Sequence, residues 1–236
     1  MRETQHRSVE GSTQQVVAHI RGLIERGELR PGDRLPAERN LAASLGVSRP
    51  TVRAGLRALT AMGVVQPRHG SGTYIPDGPP VLASEPLHLL AALHGFTGLE
   101  MYEARRILEV GAAGLAAERA TPEQMATLAE HVAALVASIG SPQVFLVHDI
   151  NFHRSVAAAS GNPIVAAVVE MVSALYYDRR RRTAEHAATR DMRDAAEAHR
   201  RIYEAIRARN ADAARTAMND HLLQASAYQE QENAAR

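Results

Sequence analysis

The run Pro76-Asp77-Gly78-Pro79-Pro80 constrains this chain more than any other feature. Its prolines remove backbone donors and fix φ, so neither a helix nor a central strand crosses it, and the chain must fold separately on either side. The two sides are patterned differently. Before the run, short apolar stripes are separated by Gly- and Pro-containing turns; after it, from Glu85, the sequence is Ala-rich with helical periodicity and almost no strand signal. The expected organisation is a first domain over residues 1–76, a linker over 77–84, a helical domain over 85–230 and a tail over 231–236.

Composition narrows the class. The 236 residues are 45% apolar and 22% charged, which suits folded globular domains and argues against disorder. Cys is absent, so neither disulfides nor thiolate ligands contribute. No apolar run approaches the roughly eighteen residues that span a bilayer, and Met1–Glu10 is too polar for a signal peptide, so a soluble, cytoplasmic protein with no membrane partner is expected. The net charge of +1 conceals an asymmetry: residues 1–76 carry 11 Arg against 6 acidic residues, whereas residues 77–236 carry 16 Arg against 20. The positive end is where a polyanion would bind.

In that end, Val16, Val17, Ile20, Leu23 and Ile24 fall at helical spacing and predict a helix over about 12–27. Pro36 suits the first turn of a second helix that Gly46 stops, and Ser48 caps a third running to about Met62. Val64-Val65-Gln66 and Thr73-Tyr74-Ile75 read as strands around a loop whose Gly70 and Gly72 supply positive φ. The expected fold is mainly α: an N-terminal winged helix-turn-helix of three helices plus a β-hairpin wing. Beyond the linker, starts such as Thr121-Pro122, Ser141-Pro142 and Asn162-Pro163 predict about seven helices, at 85–94, 99–119, 122–138, 142–159, 163–183, 191–208 and 211–229, forming an all-α antiparallel bundle.

Ser48, Arg49, Thr51 and Arg53 lie on the first turn and a half of the third helix, the part that meets base edges when such a helix enters the major groove. An Arg there can bond guanine bidentately, worth about 1–3 kcal/mol of discrimination. Arg39 on the second helix and Arg68, His69 and Gly70 in the wing are placed for phosphate or groove contacts. A solvated basic face is the simpler alternative. The stretches Leu29–Arg39, Leu45-Gly46-Val47-Ser48-Arg49-Pro50-Thr51-Val52-Arg53 and His69-Gly70-Ser71-Gly72-Thr73-Tyr74-Ile75 resemble the winged-helix domain of GntR-family transcriptional regulators. That resemblance implies DNA contacts from Arg39, Ser48, Arg49, Thr51, Arg53, His69 and Gly70. Gly55 departs from the pattern, where the family usually has an acidic residue; mid-helix it should cost about 1 kcal/mol relative to Ala.

In the helical domain, Asp149 and His153 are one turn apart on a face that also carries Phe145, Phe152 and Val156. His199 shares a stripe with Met192, Ala195, Ile202 and Ile206, and His221 with Ala214, Met218 and Ala225. Each histidine alone would more often be a satisfied core residue; all four polar residues on inward faces make a metal site. The segments Asp149–His153, Ser160-Gly161-Asn162-Pro163 and His199–Ile206, with His221 beyond, resemble the ligand-binding domain of the FadR branch of that family, the FCD-type domain. In its metal-containing members these four positions hold a divalent ion, and nitrogen-rich ligation with one carboxylate suits zinc or nickel.

Arg105, within Glu103-Ala104-Arg105-Arg106-Ile107-Leu108-Glu109, shares an inward stripe with Leu108, Ala112 and Leu115. An internal salt bridge would satisfy it; the resemblance implies instead a role in binding an organic acid. Arg179-Arg180-Arg181-Arg182 reads as a solvated helix end favoured by the helix dipole. The function expected is therefore a ligand-responsive regulator, a repressor, binding the palindromic operator of double-stranded DNA as a homodimer and answering to a small organic acid held near a divalent metal. Two alternatives remain: a metal-dependent enzyme acting on a carboxylic acid, for which no general-base motif is visible, and a regulator that binds its effector without metal.

Overall fold

The computed structural model describes residues 2–78, 82–181 and 189–234. Pro79, Pro80, Arg182, His186 and the last two residues of the predicted tail therefore lie outside the described residues. The chain divides into two compact units, residues 1–83 and 84–236.

The first unit begins with α1 (Arg2–Glu25), which starts well before the predicted position at 12 because no proline interrupts the polar residues that precede it. Gly27, at φ 71°, ends this helical segment. The turn at Pro31-Gly32-Asp33 is closed by Asp33, whose Oδ2 accepts from the Arg30 N–H at 2.7 Å. Next come α2 (Glu38–Leu45), stopped by Gly46 in the left-handed conformation, and α3 (Arg49–Ala61), whose Ser48 cap accepts from the Thr51 N–H at 3.2 Å. The wing is an antiparallel hairpin of β1 (Gln66–Arg68) and β2 (Gly72–Tyr74), paired Gln66 to Tyr74 and Arg68 to Gly72. Its first strand starts later than the sequence suggests because Val65 turns into the core, 2% exposed, beside Val16, Ile20, Leu41, Val52 and Leu59.

Gly55 acquires a reason in this core. A Cβ built there would lie 2.7 Å from the side chain of Val16, so only glycine lets α3 approach α1 this closely.

The second unit holds seven helices among the described residues: α4 (Glu85–His94), α5 (Gly98–Arg119), α6 (Pro122–Ala137), α7 (Pro142–Ala159), α8 (Pro163–Arg181), α9 (Thr189–Arg207) and α10 (Ala211–Ala234). Thr97 and Thr121 form capping boxes with Glu100 and Gln124, and Asn162 Oδ1 accepts from the Ile164 and Val165 N–H groups. Ser141 forms no capping bond, so Pro142 marks that start without help from its neighbour. The helix α10 continues past the predicted end at 229, since Gln and Glu residues there offer no break. Buried Ala112, Ala113, Ala116 and Ala117 allow α5 to pack closely, and it lies against α7, α8 and α10. That packing brings inward faces of α5, α7, α9 and α10 to one centre.

Candidate nucleic-acid interface and metal centre

On the first unit, Arg39, Ser48, Arg49, Arg53, His69 and Gly70 are exposed, and Thr51 is half-buried. Thr51 Oγ1 lies 2.8 Å from Ser48 Oγ, so the capping residue and its neighbour fix each other at the helix tip. Arg53 Nε donates to Glu38 Oε2 at 2.8 Å, and an Arg49 terminal nitrogen lies 3.7 Å from the same oxygen. One carboxylate thus gathers both arginines at the N-terminal end of α3. In the wing, Arg68 folds back over the Tyr74 ring, 4.4 Å from its centre, which leaves His69 and Gly70 at the tip. Gly72 is required by its φ of 120° and by Arg34, whose Nε would lie 2.9 Å from an added Cβ.

In the second unit, Asp149 and His153 come from α7, His199 from α9 and His221 from α10. All four are buried, and one potential ligand atom from each lies within 4.8 Å of the others. His153 Nε2 sits 3.2 Å from His221 Nε2 and 3.3 Å from His199 Nε2, and Asp149 Oδ1 lies 3.2 Å from His199 Nε2. The far sides of two rings are engaged: His199 Nδ1 donates to the Ala195 carbonyl at 2.7 Å, and His153 Nδ1 lies in close contact with Glu109 Oε2. Those partners leave each Nε2 lone pair aimed at the common centre. Burial, then the neighbouring His199 and His153, pushes His221 well below the usual imidazole range, and burial also lowers His153 despite the opposing pull of Glu109. Both are thereby kept in the neutral form that ligates metals. Burial would raise Asp149, but bonding and charge from His199, with help from His153 and Arg105, hold its carboxyl far below the ordinary range. Its Oδ2 is buried with no hydrogen-bond partner among the described residues. Converging lone pairs and an orphaned carboxylate oxygen are what a divalent cation satisfies, so this group can hold one.

Behind the cluster, Arg105 and Glu109 are each 2% exposed, and Arg105 Nε donates to Glu109 Oε1 at 2.7 Å. Burial would raise the Glu109 carboxyl, but Arg105 and His153 outweigh it and bring it down to about 2. The Arg105 guanidinium also lies 4.1 Å from the centre of the Tyr176 ring. Phe152 forms the floor, edge-on to His199 with ring centres 4.9 Å apart.

A cavity of about 80 Å³ opens beside the cluster, lined in part by Asp149, His221, Tyr102, Tyr176 and Arg180. Arg105 does not line it. The structure thus brings the four predicted ligands together and puts Arg105 behind them, in the internal salt bridge.

Residues 12–75 match the family model for bacterial regulatory proteins, gntR family, and residues 100–224 match the FCD domain. This chain belongs to the GntR family. Similar proteins include the HTH-type transcriptional regulator LutR of Bacillus subtilis, 32% identical over 85% of this chain and 93% of that protein. The HTH-type transcriptional repressor NanR of Klebsiella aerogenes is 30% identical over 91% of this chain and 84% of its own length. A solved GntR structure from Streptococcus agalactiae superposes with a TM-score of 0.70 at 29% identity, covering 92% of this chain and 99% of that one. The relatives are named as transcriptional regulators, and this GntR protein is a DNA-binding regulator rather than an enzyme. No described helix is long and apolar enough to cross a membrane.

Two residues of this regulator escaped the sequence reading. Glu109 stands one turn from Arg105, a spacing that signals a pair, but its contact with His153 depends on how α5 meets α7. Arg180, read as part of a solvated helix end, contributes to the cavity wall, and only the packing of α8 against α5 and α7 reveals that.

Proposed function

We propose that this GntR regulator acts as a homodimeric repressor on a palindromic operator, contacting it through Arg39, Ser48, Arg49, Thr51, Arg53, His69 and Gly70. The reading assigns residues 1–76 to DNA, 77–84 to a linker, 85–230 to effector binding and dimerisation, and 231–236 to a tail. Asp149, His153, His199 and His221 hold a divalent ion, zinc or nickel, and a small organic acid binds beside it. When bound, the ion supplies a fixed positive charge that attracts an acidic oxygen. The chain's own residues orient the site: Glu109 and the Ala195 carbonyl fix the His153 and His199 rings, and Arg105 fixes Glu109. Arg105 therefore supports the effector site from behind.

The observation that carries this reading is the buried convergence of one carboxylate and three imidazoles within 4.8 Å. Acid binding alters operator affinity to the extent that the acid prefers one arrangement of the regulator over another, and about 1–3 kcal/mol of coupling gives a response of one to two decades. The test is elemental analysis of protein purified without chelator or a His-tag column, paired with operator binding. About one zinc or nickel per chain is expected, lost in the His199→Ala, His221→Ala double variant together with the acid response. A full response from the metal-free double variant would refute the metal reading. Unchanged operator affinity in both Arg49→Ala and Arg53→Ala would refute the DNA assignment.

A further inference from the structure

We propose that the leucine face of α4 is where two copies of this chain meet, with Leu89, Leu90 and Leu93 of each packed against the same face of the other. The proposal rests on the homodimer reading above and names the surface that forms the contact. Its first support is that α4 is turned inside out. A helix on a finished protein surface points its polar residues to water and its apolar stripe to the core. Here the outward stripe is Leu89, Leu90 and Leu93, which are 62, 45 and 76% exposed, while Leu87, His88 and Ala91 form the half-buried side. No residue of α4 is buried.

Such a helix is poorly supported by its own chain. Ten residues are too few for a stable isolated helix in water. Within the second unit α4 leans on α8, where His88 Nε2 stands 3.0 Å from Asp178 Oδ2. Beside it lie two apolar recesses of about 260 and 310 Å³ that share Phe96, Met101 and Leu175. A standard interface takes about 800 Å² from each partner, more than one short helix offers, and the recess walls extend the apolar surface beyond it. Single exposed leucines need no explanation, but three on one stripe beside open apolar recesses mark a surface that another molecule covers.

Charge selects the occupant. Residues 86–99 contain no Asp, Glu, Arg or Lys, in a chain that is 22% charged. A two-fold contact places each residue near its own counterpart, so any charge there would meet its like; a neutral face is free of that repulsion. A partner of strongly acidic or basic character would find nothing to pair with. Nor does the face suit a lipid surface, because the charges that bracket it, Glu85 and Glu100, are acidic where membrane-lying helices carry cations. A second copy of the same neutral leucine face fits without such a penalty.

The test is sedimentation equilibrium of the full chain. The unaltered protein should be a dimer, and the Leu89→Glu, Leu93→Glu double variant should dissociate about a hundredfold or more readily. Leu223→Glu, at a 50% exposed leucine of α10, should leave the dimer intact. Because these leucines are already exposed, the double variant should keep the wild-type circular dichroism spectrum. The chain has no cysteine, so single cysteines report contact without a background. Leu89→Cys or Leu93→Cys should give a disulfide-linked dimer on oxidation with diamide, and Leu223→Cys should not. A dimer unweakened by the double substitution, with neither α4 cysteine cross-linking, overturns the α4 assignment and leaves the homodimer reading standing. An unaltered chain that is monomeric at every concentration shows that the homodimer reading failed first. A monomer that sediments with phosphatidylcholine vesicles only while Leu89 and Leu93 are present overturns the proposal in favour of a lipid surface.

Discussion

The same ionic pair occurs in two settings in this protein. Arg53 and Glu38 meet at 2.8 Å on the first unit with side chains 50% and 34% exposed, whereas Arg105 and Glu109 meet at 2.7 Å in the second with both 2% exposed. Geometry barely distinguishes them, but solvent does. An exposed pair is screened and contributes about 0–1 kcal/mol, so its arginine can exchange the carboxylate for a phosphate or a base edge at little cost. A buried pair has no substitute partner, and removing one member strands a charge at about 3–5 kcal/mol. The first arrangement suits recognition of an arriving polyanion. The second suits a support that must stay fixed while something else binds.

The largest expected effect comes from breaking the buried pair. Arg105→Ala should lower unfolding free energy by about 3–5 kcal/mol in urea denaturation, because Glu109 would keep a buried charge without its cation. Arg105→Met combined with Glu109→Leu should recover most of that loss. Recovery of stability should not bring recovery of zinc. Glu109 orients the His153 ring, so the double variant, like Glu109→Gln, should bind zinc about 10–100-fold more weakly in competition with a chelator of known affinity. Wild-type zinc affinity in Glu109→Gln would mean that the buried pair serves packing alone.

A smaller effect is expected at Gly55. Alanine gains about 1 kcal/mol of helix propensity, but its Cβ would meet Val16 at 2.7 Å, and overpacking a filled core costs about 1–3 kcal/mol. Gly55→Ala should therefore be neutral to destabilising by about 2 kcal/mol in thermal unfolding. In the Val16→Gly background, which removes both the Cβ and the Cγ1 that lie 2.7 Å away, the same change should stabilise instead. Stabilisation in both backgrounds would remove the close-approach explanation.

Gly55 also marks the boundary of what the sequence reveals. Helix starts with a cap and a following proline were readable because their causes lie within four residues, as at Thr121-Pro122 and Ser48. The four metal-ligating candidates were readable because each sits on the apolar stripe of its own helix, and stripes that face inward share one core. Gly55 looked like a defect because its reason, Val16, lies on another helix. Arg180 looked like a solvated end because a dipole argument considers only its own helix. Arg105 was legible as inward-facing, but its position behind the tyrosines depends on where α8 sets Tyr176. What sequence missed was set by contacts between elements.

The smallest expected effect on stability, and the sharpest test of the contrast, lies at Glu38. Because its pairs with Arg53 and Arg49 are solvent-exposed, Glu38→Gln should change unfolding free energy by less than about 1 kcal/mol. Its effect on DNA should be larger and of a particular kind. The substitution removes a negative charge from the face proposed to meet DNA, so affinity for arbitrary duplex DNA should rise and fall more steeply with added salt. Without the shared carboxylate, Arg49 and Arg53 lose the partner that holds them side by side, and part of each guanidinium's bidentate discrimination, about 1–3 kcal/mol per base contact, should go with it. The ratio of operator to non-operator affinity should therefore drop while total affinity holds or increases. A substitution that lowered both affinities in equal proportion would show Glu38 to be structural, and the exposed pair would then resemble the buried one after all.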